Sequence, residues 1–208
     1  MMNVLLINGS PNKEGCTYTA LKEVADTLNH CGIETEIFHI GLEASGGCRG
    51  CGGCKQTGRC AFGSDNLAKL FEKAEKADGL IVGTPVHYAA SSGAISCVMD
   101  KMFTAIPGKL AYKPGACVVS CRRGGASATF DEMNKYFTIN KMPVVASQYW
   151  NSVHGSCAED VKKDEEGLQI MRVLGRNMAW LLHCIEAGKK TGVPMPEQEE
   201  HLWTSFIR

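Results

Sequence analysis

The sequence predicts an α/β doubly wound sheet of five parallel strands with helices on both faces. Short apolar runs recur along the chain, and each is followed by a segment whose apolar residues return at spacings of three and four. Alternation of that kind builds a parallel sheet, because a parallel neighbour is reached only through a crossover. The composition agrees: 208 residues, 44% hydrophobic and 21% charged, is the balance of a globular chain with a buried core. At roughly 150 residues per domain, a single domain over residues 1–208 is expected.

The elements follow in order. Val4, Leu5, Leu6, Ile7 and Asn8 form an apolar run that Gly9-Ser10-Pro11 ends, which reads as a buried parallel strand. Residues 17–30 read as a helix with Leu21, Val24, Ala25 and Leu28 on one face and Gly32 as the stop. Residues 35–40 alternate as a second strand. Residues 66–77 carry Leu67, Leu70, Phe71 and Ala74 at helical spacing. A third strand is expected at 79–83, then a helix at 92–106 with Ile95, Val98, Met102 and Ile106 inward. Strand four falls at 116–121, a helix at 129–137 and strand five at 143–147. One long helix is expected to cover much of 159–187, with Leu168, Met171, Leu174, Met178, Leu181 and Ile185 on its inner face. Two segments stand apart: a Gly/Cys-rich insertion at 41–64, and a polar tail at 189–208 with Trp203, Phe206 and Ile207 near its end. The tail is expected to pack on its own domain or on a sister subunit.

Charge and cysteine usage narrow the function class. Lys and Arg number 22 and so do Asp and Glu, and a neutral chain lacks the basic surface that nucleic acid or acidic membrane demands. No apolar run approaches the roughly 18 residues of a membrane span. Met1-Met2-Asn3 supplies no basic start for a signal peptide. Eleven cysteines, an odd number, argue for reduced thiols rather than a secreted disulfide framework. A cytoplasmic protein is expected.

In a doubly wound sheet, ligands sit beyond the carboxyl ends of the strands where strand order reverses. Three loops should open there, at 9–17, 84–93 and 120–125. The first offers Ser10, Asn12 and Thr17 and runs straight into a helix N-terminus, whose unpaired N–H groups suit a phosphate. Cys16 stands where a Walker loop has its lysine, and there is no G-x-G-x-x-G, so nucleotide hydrolysis and dinucleotide binding both lose support. The same loop also reads as a plain capping turn. The second loop exposes His87 and Tyr88 beside flexible backbone, where a flat ring could stack. The third offers Arg122 and Arg123 to a carbonyl or an anionic ring.

These residues resemble the flavodoxin-like family of NADPH-dependent FMN reductases and iron–sulfur flavoproteins. The likeness covers most of residues 3–187. It rests on N-G-S-P-N-K-E-G-C-T at 8–17, on T-P-V-H-Y at 84–88 followed by Ser92-Gly93 and Asp100-Lys101, and on S-C-R-R-G-G at 120–125. The resemblance implies FMN, with its phosphate on Ser10, Asn12, Gly15, Cys16, Thr17 and Tyr18. Its ring would lie against Pro85, Val86, His87 and Tyr88, and its pyrimidine edge would face Ser120, Arg122, Arg123 and Gly124. Two positions depart from the family pattern: Cys16 replaces a frequent Asn, and Arg122-Arg123 stand where many relatives carry Thr and Gly. A flavin enzyme of this kind takes electrons from NAD(P)H and passes them to a flavin, quinone or similar acceptor. Arg122 or Arg123 would then stabilise charge on the reduced ring, and His87 would protonate an acceptor. A homo-oligomer, dimer or tetramer, is implied as well.

Cys48, Cys51, Cys54 and Cys60 follow a C-x2-C-x2-C-x5-C spacing that shares the start of bacterial ferredoxin motifs. Gly50, Gly52, Gly53 and Gly58 let the chain turn tightly enough for the sulfurs to converge. Four thiolates also suit zinc, whose sites usually separate two cysteine pairs by a longer stretch, and a metal-free loop is the third reading. The resemblance to iron–sulfur flavoproteins favours a [4Fe–4S] cluster. Two main functions therefore compete: an NAD(P)H-dependent FMN reductase, and an electron carrier fed by a ferredoxin-like donor. A zinc-stabilised binding module is weaker than either.

Overall fold

A computed structural model describes residues 2–41 and 46–207. Residues 42–45 of the Gly/Cys-rich insertion and Arg208 of the tail lie outside the described residues. The strands are β1 (Asn3–Asn8), β2 (Glu34–His39), β3 (Gly79–His87), β4 (Ala90–Ser91), β5 (Gly115–Cys121) and β6 (Ser152–His154). The longer helices are α1 (Cys16–His30), α3 (Asp65–Lys76), α4 (Gly93–Ala105), α6 (Ala126–Ile139) and α8 (Glu165–Lys190). Three helices of four residues each complete the described set: α2 (Cys54–Thr57), α5 (Pro107–Leu110) and α7 (Ala158–Val161).

Five strands pair in parallel in the order β2-β1-β3-β5-β6, and β4 folds back antiparallel on β3. Strand order reverses between β1 and β3, so the crevice expected for a ligand lies at the carboxyl ends of these two strands. Each central strand is buried on both faces, and its side chains divide between two cores with period two. Leu5, Ile7, Leu80, Val82 and Cys117 pack with α3, α4 and α6. Val4, Leu6, Ile81, Ala116 and Val118 pack with α1 and α8.

Caps explain several helix boundaries. The Ser64 side chain accepts from Leu67 N at the start of α3, with Asp65 in the first turn and Lys73 and Lys76 in the last, all favourable to the helix dipole. Ser92 caps α4 in the same way through Ile95 N. The long helix expected over much of 159–187 is α8, and the stretch before it forms the separate four-residue α7, because Asp164 stands between them. Its Oδ1 accepts from Gly167 N at 3.0 Å and its Oδ2 from His154 N at 2.6 Å, so the carboxylate caps α8 and fixes the end of β6 together.

Strand five is also displaced. At 143–147 the chain makes only an isolated bridge, Val144 to Gly115, before leaving the sheet. Ser147 Oγ bonds both the N–H and the carbonyl of Tyr149, a local turn that competes with the ladder. Pairing resumes at Ser152–His154, where Val153 is fully buried while Val144 stays 38% exposed.

Gly83, in the middle of the sheet, has no room for a side chain. A Cβ there would lie 2.8 Å from Thr17 Cγ2 and Leu21 Cδ1 of α1. Gly83→Ala is therefore expected to push α1 off the sheet and to cost about 1–3 kcal/mol, the usual penalty of overpacking, read as a lower urea midpoint at unchanged slope.

Candidate functional site

The three loops singled out from the sequence meet at the carboxyl ends of β1, β3 and β5, and each is tied to both others. Ser92 Oγ, beyond the β3–β4 hairpin, donates to Gly9 O at 2.9 Å and joins the second loop to the first. Thr17 Oγ1 and Ser120 Oγ share a hydrogen bond of 2.8 Å between the first and third, both side chains buried. Gly125 joins the third to the second: a Cβ on it would stand 2.6 Å from Ala89 Cα and 2.8 Å from Val86 Cγ1, and its φ is +91°. Only glycine combines that conformation with that approach.

The first loop is shaped from within. Asn8 Oδ1 accepts from Ser10 N at 3.1 Å, Asn8 Nδ2 donates to Lys13 O at 3.0 Å, and Ser10 Oγ accepts from Asn12 N at 3.1 Å. From β2, His39 Nε2 bonds Ser10 O at 2.8 Å. The loop thus closes into a ring whose open side is the start of α1. There Gly15 is the N-cap with no side-chain bond, and no acidic residue stands in the first turn. The N–H groups of Cys16, Thr17 and Tyr18 have no helical carbonyl to meet, since the first such bond is Thr19 N to Gly15 O. Helices α3, α4 and α8 are capped by side chains, whereas α1 and α6, which start beside this crevice, are not. That contrast fits an anion held by backbone N–H groups.

The second loop is a tight hairpin rather than a long loop. His87 pairs with Ala90, and the two residues between them, Tyr88 (φ 51°) and Ala89 (φ 61°), are both left-handed. A two-residue turn of this geometry normally takes Asn-Gly; residues with a Cβ pay roughly 1–2 kcal/mol each for it. Glu132 of α6 holds the strained turn in place, accepting from Ser91 N at 2.9 Å and from Ser91 Oγ at 2.8 Å. Pro85 and Val86 are half-buried while His87 is exposed and Tyr88 fully so, at 105%. In the third loop Ser120 is buried and Arg122, Arg123 and Gly124 are exposed.

The expected phosphate, ring and pyrimidine contacts therefore share one crevice. Cys16 differs from its neighbours, because its thiol turns away to Gly155 O at 3.6 Å and burial raises its pKa above the ordinary thiol value. Burial likewise pushes up the thiols of Cys121 and, more strongly, Cys117, so these three stay protonated at neutral pH. Sequence reasoning missed His39 and Glu132, and it had Asn8 and Ser92 only as motif positions without a bonding role. Asn8 carried a signal, an Asn two residues before Ser10 at a strand end, which favours a side-chain turn. Glu132 carried none, since its partner lies 41 residues away.

Cys48, Cys51, Cys54 and Cys60 line one cavity, closed on the other side by Lys101 and Thr104 of α4. Gly50, Gly52 and Gly58 have φ between 62° and 74°, the left-handed turns that fold the cysteine loop back on itself. Lys101, buried, donates to Phe62 O at 3.2 Å, and the Arg49 guanidinium lies 4.3 Å over the Phe62 ring, so the segment after Cys60 is pinned from two sides. Among the described residues no three potential ligands stand close enough to grip a single metal ion. Four thiols around one cavity are a donor set that a four-iron cluster takes for the cluster as a whole and that zinc also accepts.

Comparison with known proteins gives concordant findings. The family model of NADPH-dependent FMN reductases matches residues 2–156. An iron–sulfur flavoprotein of Methanocaldococcus jannaschii is 31% identical over 193 residues, spanning 89% of this chain and 100% of its own. The FMN reductase (NADPH) of Escherichia coli is 31% identical over 99 residues, 48% of this chain and 47% of its own. Among solved structures, RosB with bound 8-demethyl-8-formylriboflavin-5'-phosphate superposes with a TM-score of 0.70 at 16% identity, covering 100% of this chain and 94% of that one. At that identity the likeness concerns the fold.

Glu132→Ala removes both bonds that hold the hairpin against its own strain. A net loss of about 1–3 kcal/mol is expected, together with faster amide exchange confined to residues 86–91. Unchanged exchange there would show that the turn holds itself.

Proposed function

The chain belongs to the NADPH-dependent FMN reductase family and is an FMN-dependent oxidoreductase, and from that premise we propose which of its residues do the work. The observation that carries the proposal is the pairwise tying of three loops around an uncapped helix start at the β1/β3 reversal. Ser10, Asn12, Gly15, Thr17 and Tyr18, with the Cys16 N–H rather than its thiol, would hold the phosphate. A cradle of hydroxyls and N–H groups, without a lysine or a metal, suits a monoester. Pro85, Val86, His87 and Tyr88 would hold one side of the ring, and Ser120, Arg122, Arg123 and Gly124 its pyrimidine edge.

When bound, FMN supplies the capacity to accept a hydride and hand electrons on. The chain's own residues set the terms. Arg122 and Arg123 place positive charge where a reduced ring carries negative charge. His87, exposed on the hairpin beside the crevice, can give a proton at its ring nitrogen to a quinone-like acceptor. NADPH is the proposed donor and a flavin, quinone or similar small molecule the acceptor.

A second reading is favoured by the cysteine cavity and by relatives described as iron–sulfur flavoproteins. In it Cys48, Cys51, Cys54 and Cys60 hold a [4Fe–4S] cluster, and electrons come from a ferredoxin-like donor. Both readings treat residues 1–208 as one domain that works as a homo-oligomer in the cytoplasm, without nucleic acid or membrane. Among the described residues no helix is long and apolar enough to cross a membrane.

Protein purified under argon is expected to release one FMN per chain, and NADPH to bleach the bound flavin in that sample. No flavin, and none taken up from added FMN, would refute the site. Thr17→Val takes a hydroxyl from the phosphate cradle and leaves the buried Ser120 hydroxyl without its partner, and should weaken FMN by about 1–3 kcal/mol, read by fluorescence titration. Reconstitution with iron and sulfide should give a broad absorption near roughly 400 nm that Cys51→Ala loses. A wild type that gains none leaves the flavin enzyme without the cluster.

A further inference from the structure

Tyr112 (φ 65°) and Lys141 (φ 57°) are both left-handed residues with side chains, and Tyr112 N donates to Lys141 O at 3.0 Å. Their side chains close on one residue of the tail. Lys141 Nζ donates to Gln198 Oε1 at 2.5 Å, and Gln198 Nε2 donates to Tyr112 Oη at 2.5 Å. Two strained positions thus form a clamp that fixes the root of the segment after Gln198.

Beyond the clamp the chain turns apolar. Leu202, Trp203, Phe206 and Ile207 are 84–93% exposed. The ring contact of Trp203 is with His201 of the same segment, at 4.1 Å. A segment that stays in water is normally polar, and four large apolar side chains within six residues call for a surface to cover. Next to the clamp lies an open cavity of about 390 Å³ between Pro107, Gly108, Ala111 and Ile139, with Gln198 on its rim. Ile139 is 82% exposed there. Charges match too: Glu199 and Glu200 begin the segment, and Lys109 and Lys141 flank the cavity.

We propose that residues 199–207 are an arm exchanged between two copies of this chain, each laying Trp203 and Phe206 into the Ile139 cavity of the other. The root of the arm sits on the rim of the acceptor, so a two-fold axis beside the clamp brings each arm to the other copy's cavity, as an isologous interface requires. The area suffices. Four aromatic side chains bury about 600–1,000 Å² at 150–250 Å² each, and the surfaces they cover add a comparable amount, which reaches the roughly 1,200–2,000 Å² of a stable interface. This surface lies near the start of β5, at the opposite sheet edge from the FMN crevice, and does not rest on the assignment of that site.

Sedimentation at micromolar concentration tests it. Wild type is expected to form an assembly whose mass halves in the Trp203→Ser/Phe206→Ser double variant and in Ile139→Glu, with the dissociation constant raised at least ~100-fold and the FMN content unchanged as the check on folding. Mixing the two variants should restore association, because one intact arm then meets one intact cavity. A photoactivatable benzophenone amino acid at position 203, in a mixture of ¹⁴N and ¹⁵N chains, should cross-link to residues 107–111 or 139–141 of the other isotope. A monomeric wild type, an assembly that neither variant changes, or cross-links within single chains alone would overturn the exchange.

Discussion

The site depends on two missing side chains at the reversal of strand order. Gly9 N donates to Gly83 O at 2.9 Å, which aligns the ends of β1 and β3. A Cβ on Gly9 would fall 2.7 Å from Ile95 Cβ, and one on Gly83 would fall 2.8 Å from Thr17 and Leu21. Helices α1 and α4 therefore sit closer to the sheet than any larger residue would allow. Thr17 reaches Ser120, and Ser92 reaches Gly9, only because of that closeness.

Rigid ties and an open edge divide the crevice. The inner half is buried and fully bonded: Asn8, Ser10, Thr17, Thr84, Ser92 and Ser120 all have hydrogen-bond partners. The outer half, His87, Tyr88, Arg122 and Arg123, faces solvent. Held backbone with exposed tips is the arrangement that can grip a cofactor on one side and admit a changing substrate on the other. The strain of the Tyr88–Ala89 turn belongs to the same design, since Glu132 and Gly125 fix the hairpin at both ends and leave its tip in water.

Helix α4 links this crevice to the cysteine cavity. Its cap, Ser92, belongs to the second loop, while Lys101 and Thr104 wall the cavity. Lys101 stands nine positions after Ser92 along the helix, about 14 Å at the rise of an α-helix. Within one chain the two candidate redox sites thus share a single rigid element. Any shift of α4 is felt at both.

The sequence by itself determined the strand–helix alternation, the three loops at one sheet edge and the four-cysteine loop. These are local patterns: apolar periodicity, glycines beside polar residues, and spacing. It placed the first four parallel strands and the helices between them, because each carries its own buried face. It erred where a distant or competing partner decides. The Pro143-Val144-Val145 run has strand composition, yet the turn at Ser147 takes the chain out and Ser152–His154 pairs instead. The long helix over much of 159–187 is present as α8, but its start is set later, at Asp164, which found both Gly167 N and His154 N. Only the tertiary structure decided that the second loop is a strained hairpin held by Glu132, that the Cys16 thiol faces Gly155, and that Tyr112 and Lys141 clamp Gln198. Each joins residues with no periodic relation in the chain, through hydrogen bonds whose partners are chosen by packing, and a one-dimensional pattern carries no record of that choice.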